Sequence, residues 1–320
     1  MENNHAQLPV RVQPHEDESG LGFLLRASAE NRTTLYLTRL HLSIKNWRSL
    51  CDEDISRLAH YGGCDRQWLV ERLFIQSENS RQQYQLSGHP LRLNSVTPNL
   101  GARVCPKCLE EQHRCHRVWQ LPGAIACPRH ENLLVDSCVR CGHLISWRRP
   151  SVDVCKCGRY LALPNDTTTT SEARIAASWT RWLEFRLHSG DPEKVITAEH
   201  VPEFLSFLTI DGATALVLAF GLAKDPGTSI RPKWCVPLPV VPGHAAIERG
   251  LERLRTIEGQ IHRAKLWADH VDIPILERLR RNGLTAADRE CARKLLAYVT
   301  RPRDARRGGR YSSGQQELFA

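Results

Sequence analysis

Apolar residues recur at helical intervals along most of the chain, and one central stretch breaks that rhythm. Leu21, Leu24, Leu25 and Ser28 share one side of a helix behind the acidic run Glu16-Asp17-Glu18, where negative charge favours a helix start. A second short helix is predicted over 35–42, with Tyr36, Leu37 and Leu40 recurring on one side. Asp52 opens a third helix running to His60 and Asp65 a fourth running to Gln76, with Gly62-Gly63 as the turn between them. Past residue 171 the period returns: Ile175, Trp179, Trp182 and Leu183 form one face, with Ser171 as cap and Gly190 as stop. Further helices are predicted near 197–209, 212–223, 272–282 and 285–299. The longest, over 244–268, carries Ile247, Leu251, Leu254 and Ile261 as a core stripe between faces of Glu and Arg.

The stretch 101–163 holds eight cysteines, turn glycines and short alternating runs, so it reads as tandem zinc-ribbon-like fingers with short β-hairpins. The expected fold is therefore mainly α. It consists of an N-terminal helical domain (1–100) containing a candidate helix-turn-helix (55–73), the zinc-binding segment (101–163) and a C-terminal helical domain (171–300). A Pro/Asn/Asp/Thr linker (164–170) separates the last two, and an Arg-rich tail (301–320) is expected to be disordered on its own.

Composition narrows the class. With 320 residues, 41% hydrophobic and 25% charged, the chain has ample material for several cores. The polar opening Met-Glu-Asn-Asn-His-Ala-Gln lacks a signal-peptide core, and the longest apolar run, Ala213 to Ala223, is far short of the roughly 20 residues that span a bilayer. A cytoplasmic chain without a membrane partner is expected. The net charge of +9 is concentrated: 101–163 carries ten Lys/Arg against five Asp/Glu, and 301–310 five Arg against one Asp. Such clustering suits DNA or RNA, although a solvated basic surface explains it equally well.

The cysteines carry the chemistry. Cys105-Pro-Lys-Cys108 is followed by Cys127-Pro-Arg-His130, then by Cys138-Val-Arg-Cys141-Gly142 and Cys155-Lys-Cys157-Gly158. Close-spaced pairs on tight turns let four donors converge on a tetrahedral ion, and thiolates with one imidazole favour zinc over magnesium or calcium. Two structural zinc ions are expected, held by Cys105, Cys108, Cys127 and His130, and by Cys138, Cys141, Cys155 and Cys157. His113, Cys115, His116 and His143 lie near enough in sequence to substitute, and the Cys155-x-Cys157 gap is tighter than usual. A redox Cys-x-x-Cys would need a thioredoxin-like βαβ setting, which the pattern lacks. Cys51, Cys64, Cys235 and Cys291 stand alone and read as small buried residues.

No catalytic constellation is visible. Gly221 to Ser229 resembles a phosphate loop but lacks the Gly-Lys-Ser/Thr ending. The second cue is Ala59-x-x-x-Gly63 followed by Asp65, the spacing of a helix-turn-helix whose second helix would offer Arg66, Gln67 and Arg72 to DNA. An αα-hairpin packed within its own domain has the same signature. Arg148 and Arg149 in the cysteine segment, and Arg301, Arg303, Arg306, Arg307 and Arg310 in the tail, complete the candidate DNA contacts.

In order, these features resemble the TniQ family, which includes the TnsD-type target selectors of bacterial transposons. The resemblance rests on Leu8-Pro9-Val10-Arg11, Pro14 and Glu16-Asp17-Glu18-Ser19, then on the hairpin at 55–73. It is sharpest at Val104-Cys-Pro-Lys-Cys-Leu109, Trp119-Gln120-Leu121, Cys127-Pro-Arg-His130, Leu133-Leu134 and Cys138 to Gly142. It implies a non-catalytic adaptor that binds target DNA, or an RNA-guided CRISPR effector already on it, and recruits an AAA+ ATPase transposition regulator and thereby the transposase. It also implies a bacterial, nucleoid-associated location when DNA-bound, and is compatible with a homodimer. The chain is shorter than full-length TnsD-type selectors, so reliance on another target reader is expected rather than autonomous sequence-specific targeting. The competing class is a stand-alone zinc-containing helix-turn-helix transcription regulator, which would bind a defined operator by itself.

Overall fold

The computed structural model describes residues 6–45, 47, 50–77, 80, 83–92, 101–162, 173–189, 198–222 and 238–300. The linker 164–170, the cap Ser171, the stop Gly190, Cys235 and the tail with Arg301, Arg303, Arg306, Arg307 and Arg310 lie outside them. The architecture is mainly α, and it divides into two compact units: Met1–Gly190 with Pro232–His244, and Asp191–Arg231 with Ala245–Ala320.

In the first unit, helix α1 (Gly20–Glu30) starts at Ser19, whose hydroxyl accepts the Gly22 N–H. The expected stripe Leu21, Leu24, Leu25 and Ser28 is buried. Helix α2 (Leu35–His41) forms where predicted but presents the opposite face: Leu35 and Thr38 are buried, while Tyr36, Leu37 and Leu40 are each about half exposed. Helix α3 (Asp52–Gly62) ends on Gly63, whose left-handed φ of 68° reverses the chain. A side chain there would also meet the Arg11 guanidinium. Asp65 caps α4 (Arg66–Val70), accepting the Trp68 N–H at 2.7 Å.

Here the prediction of a helix to Gln76 fails. Helix α4 has five residues, and Ile75–Gln76 (β1), Gln83–Leu86 (β2) and His89–Arg92 (β3) form an antiparallel meander. Tyr84 and Leu86 point inward between exposed Gln83 and Gln85, a period of two too short to stand out beside the helical stripes. By contrast, the expected hairpins of the cysteine segment shrink to isolated bridges, such as Val104 with Val135, Ala126 with Leu133 and Ser137 with Leu144.

The expected boundary at residue 100 is not a boundary of compactness. The Ser19 N–H donates to the Cys115 carbonyl and the Arg117 N–H to the Asp17 carbonyl, each at 2.8 Å. Helix α6 (Arg174–Ser189), assigned from sequence to the C-terminal domain, belongs to this first unit as well. Trp179 and Trp182 stack at 4.9 Å, and the Trp179 indole N–H donates to the Gly123 carbonyl.

His89 on β3 is buried, and that burial, reinforced by the charge of Arg186 and then Arg117, pushes its pKa down to about 4 from 6.5. Its folded pKa is depressed, so the stability tied to the neutral ring is complete above about pH 6.5 and is lost as pH falls to about 4. Between pH 7 and 4 the wild type should lose about 3 kcal/mol more unfolding free energy than His89→Gln. Urea titrations of both proteins at the two pH values check this; parallel losses would contradict it.

The described residues of the second unit are mostly helical, but the helix expected near 197–209 is an isolated bridge between Ala198 and Val201 followed by a 3-10 segment, Glu203–Phe207. Helix α7 (Ile210–Gly221) holds the long apolar run, and no helix among the described residues is long and apolar enough to cross a membrane. Helix α8 (Val240–Ile257) is shorter than predicted. Gly259 turns the chain at φ 67°, and a 3-10 segment, Ile261–His270, follows. Ile247, Leu251 and Leu254 are buried as expected, while Ile261, beyond the break, is only partly so. Helices α9 (Ile273–Asn282) and α10 (Ala286–Val299) match expectation closely. Asp288 is fully buried at the start of α10, where it accepts the Thr285 N–H and both the N–H and hydroxyl of Thr209, the cap of α7.

Candidate metal centres and nucleic-acid surface

Cys105 caps α5 (Pro106–Gln112), with proline at the first helical position, where its missing N–H has no intrahelical partner to lose. Cys108 therefore follows on the first turn. The facing pair sits on a reverse turn closed by Glu131 N–H to Cys127 O at 2.9 Å, with Glu131 in the left-handed region at φ 51°. The donor atoms of Cys105, Cys108, Cys127 and His130 all lie within 4.8 Å of one another. His130 Nδ1 is 3.4, 3.2 and 3.6 Å from the sulfurs of Cys105, Cys108 and Cys127, and the Cys108 and Cys127 sulfurs are 3.6 Å apart. A tetrahedral ion with bonds of about 2.0–2.3 Å needs donors about 3.5–3.8 Å apart, so the set is the right size. The other ring nitrogen, His130 Nε2, is 2.9 Å from Glu111 Oε1, which fixes the ring and leaves Nδ1 for a metal.

The second set repeats the device with glycines. Cys138, Cys141, Cys155 and Cys157 also converge within 4.8 Å, with sulfur pairs at 3.7 Å (Cys138 and Cys157) and 3.9 Å (Cys141 and Cys155). Gly142 (φ 69°) and Gly158 (φ 82°) donate back to the carbonyls of Cys138 and Cys155 at 2.7 and 2.8 Å. Left-handed backbone at these positions costs glycine nothing.

Backbone amides face the sulfurs. Burial alone would raise the Cys138 thiol, but the N–H groups of Cys141 and Arg140 outweigh it and bring the pKa to about 7. Hydrogen bonds from Cys108 and Cys127 hold Cys105 low, and the same sharing pushes Cys108 and Cys127 up. Three thiolates in so small a space repel one another, and a cation at their centre removes the conflict. The two clusters can each hold a metal ion. Each supplies the four protein donors of a closed site, with no position left for water or substrate.

The nearby alternative donors lie elsewhere. Cys115 is buried and accepts from Arg149 at 3.2 Å; His116 sits between Gln112 and Asp17; His113 faces Asp153 at 3.7 Å. Of the isolated cysteines, Cys291 is buried, Cys64 partly buried and Cys51 exposed, the last a departure from expectation.

The candidate DNA contacts divide. Arg66 and Gln67 are exposed at the start of α4, with Arg66 paired to Asp52 and Gln67 bonded to Glu71 at 3.2 Å. Arg72 is buried: it donates to the carbonyls of Glu16 and Trp68 and lies over the Trp68 ring at 4.7 Å. Arg149, 1% exposed, donates to the carbonyls of Ser146, Ser151 and Val152. Both are corrections, because a guanidinium buried among the carbonyls it satisfies is not presented to a phosphate. Arg148, next in sequence, is exposed. Pattern reading missed that each of the four cysteine turns carries one exposed cation between its ligands: Lys107, Arg129, Arg140 and Lys156. The signal was in the motifs themselves, Pro-Lys, Pro-Arg, Val-Arg and Lys.

A mainly helical chain thus carries two four-donor sets that can each hold a metal ion, with one exposed cation on each ligand-bearing turn. Residues 9–134, less than half of the chain, match the family model described as TniQ. The match takes in α1–α5, the small sheet and the whole first cysteine set, and stops before Cys138. No curated protein matches the chain. The TniQ domain fits a transposition-associated target-selection protein, acting with partner proteins and DNA in a family that is generally non-catalytic.

Proposed function

We propose that this chain is a non-catalytic adaptor of transposition. It would link target DNA, or an RNA-guided CRISPR effector bound there, to an AAA+ ATPase regulator and thereby to the transposase. The observation that carries the reading is the TniQ match over residues 9–134. Two full sets of soft donors support the non-catalytic role, because a four-coordinate ion held wholly by protein has a structural task. We take both ions to be zinc, which suits a tetrahedron of three thiolates and one imidazole as well as one of four thiolates.

The DNA arm rests on exposed cations of the first unit: Arg66, Lys107, Arg129, Arg140, Arg148 and Lys156. Gln67 lies beside Arg66, and the tail arginines 301, 303, 306, 307 and 310 are proposed to add phosphate contacts. Binding of this kind falls steeply with salt. A stand-alone operator-binding regulator fits less well. At about 1.5 Å per residue, the five residues of α4 offer less than two turns to a major groove, and Arg72 is turned inward.

Recovery of the tagged protein from its host after DNase treatment, followed by mass spectrometry, tests the reading. An AAA+ regulator, with or without a CRISPR effector, is the expected companion. Recovery of the chain alone, together with tight binding to one operator, would replace the adaptor by the regulator.

A further inference from the structure

A cleft of the first unit runs between α2 with its following loop and residues 146–148, and it has a cavity volume of about 190 Å³. Its floor is apolar, made by buried Leu21 and Leu35. Its walls carry Tyr36, Arg39, Lys45, Trp47, Trp147 and Arg148. Among the described residues no carboxylate lines it, and none pairs with Arg39, Lys45 or Arg148. Three cations and three aromatic rings around one opening do not follow from any need of the core.

The fold builds this opening deliberately at one point. Ser43 takes a left-handed φ of 55°, and the Ile44 N–H reaches back to the Arg39 carbonyl at 2.9 Å, ending α2 and doubling the chain back. Arg39 then donates to the Lys45 carbonyl at 2.9 Å, while its guanidinium lies 5.6 Å from the Tyr36 ring centre. Tyr36 belongs to the apolar stripe that faces outward, and it stays 51% exposed. Trp147 is different: it is buried, so it is a wall rather than a platform.

We infer that this cleft binds one unpaired nucleotide of DNA or RNA, its base against Tyr36 and Trp47 and its phosphate among Arg39, Lys45 and Arg148. Flat aromatic faces beside clustered cations match the two halves of a nucleotide, which stacks by its base and neutralises by its phosphate. The volume is below the roughly 300 Å³ of pockets for larger ligands, which suits a single base. A carboxylate-rich peptide would use the cations but gain nothing from the exposed rings. The inference rests on the nucleic-acid part of the proposed function and goes beyond it by naming the site and the unpaired state of the ligand.

Fluorescence anisotropy with the full chain at low salt tests it, using a mixed-sequence single strand, the same strand made abasic, and a fully paired hairpin. The intact strand should bind about tenfold tighter than the abasic one. Tyr36→Ala and Trp47→Ala should each shrink that difference, and Arg148→Gln should weaken both strands. Tyr36 is half exposed, so its variant should melt with the wild type, keeping the result clear of misfolding. Comparing ribose and deoxyribose strands identifies the source, and a preference for either supports the inference. Equal binding of intact and abasic strands, an unchanged difference in both aromatic variants, or displacement of the intact strand by polyglutamate as readily as the abasic one would each overturn it. Hairpin binding with no preference for unpaired bases would sink the cleft and leave the adaptor standing. A preference seen without an ATPase partner in the host would do the reverse.

Discussion

Cys127→Ser should bind one metal ion instead of two and lose the fold of the segment around 101–135. The Cys127 sulfur lies 3.6 Å from both the Cys108 sulfur and His130 Nδ1, and the His130 N–H points at it. A hydroxyl is a far poorer ligand than a thiolate, and in such sites the free energy of metal binding, about 10–16 kcal/mol, is also folding free energy. That exceeds or matches the whole stability of a typical domain, about 5–15 kcal/mol, so the variant has no reserve to draw on. The second set, Cys138, Cys141, Cys155 and Cys157, shares no ligand with the first and should keep its ion. Metal analysis with limited proteolysis checks both halves of the expectation. Cys115→Ser is the control: Cys115 is as buried as Cys127 but bonds to Arg149 rather than to the cluster, so both ions should remain. Two ions and wild-type protease resistance in Cys127→Ser would remove it from the ligand set.

Arg103→Met should cost about 3 kcal/mol of stability or more, because several buried carbonyls lose their donor at about 1–3 kcal/mol each. The guanidinium is buried and donates to the carbonyls of Leu121, Pro122, Ala124 and Leu238, at 3.2, 2.8, 2.7 and 2.5 Å. Burial lowers its pKa to about 10, with Asp136 opposing the shift, so it remains charged at neutral pH. Methionine fills much of the volume but leaves those carbonyls without donors. Arg103→Lys should fall between, because a compact ammonium cannot reach all of them as a planar fork does. Chemical denaturation measures the losses. A change below about 1 kcal/mol for Arg103→Met would show that the carbonyls find other donors.

Arg103 also shows what the charge count conceals. The excess in 101–163 suggested a polyanion partner, yet Arg103, Arg117 and Arg149 are buried and largely serve as internal donors. Sequence reports charge but not which backbone carbonyls need it. The eight cysteine-set residues were legible because ligand spacing on tight turns is a local property, and the structure brings the same eight together. Most helices were legible for a similar reason. The failures share a cause in tertiary packing. The face of α2 is decided by what covers Leu35 and Thr38, α4 gives way to β1 because β2 is there to pair with it, and α8 stops at a glycine inside a continuous stripe. The grouping of α6 with the cysteine segment depends on Trp179 reaching Gly123, a contact between residues 56 apart in the chain.

Native mass spectrometry of the unmodified full chain, paired with elemental analysis of the same sample, tests the central claim most directly: that two closed zinc centres organise this protein. Two zinc ions per chain, both retained in the presence of magnesium, is the predicted result. One ion, none, or a redox-active metal in their place would contradict the account.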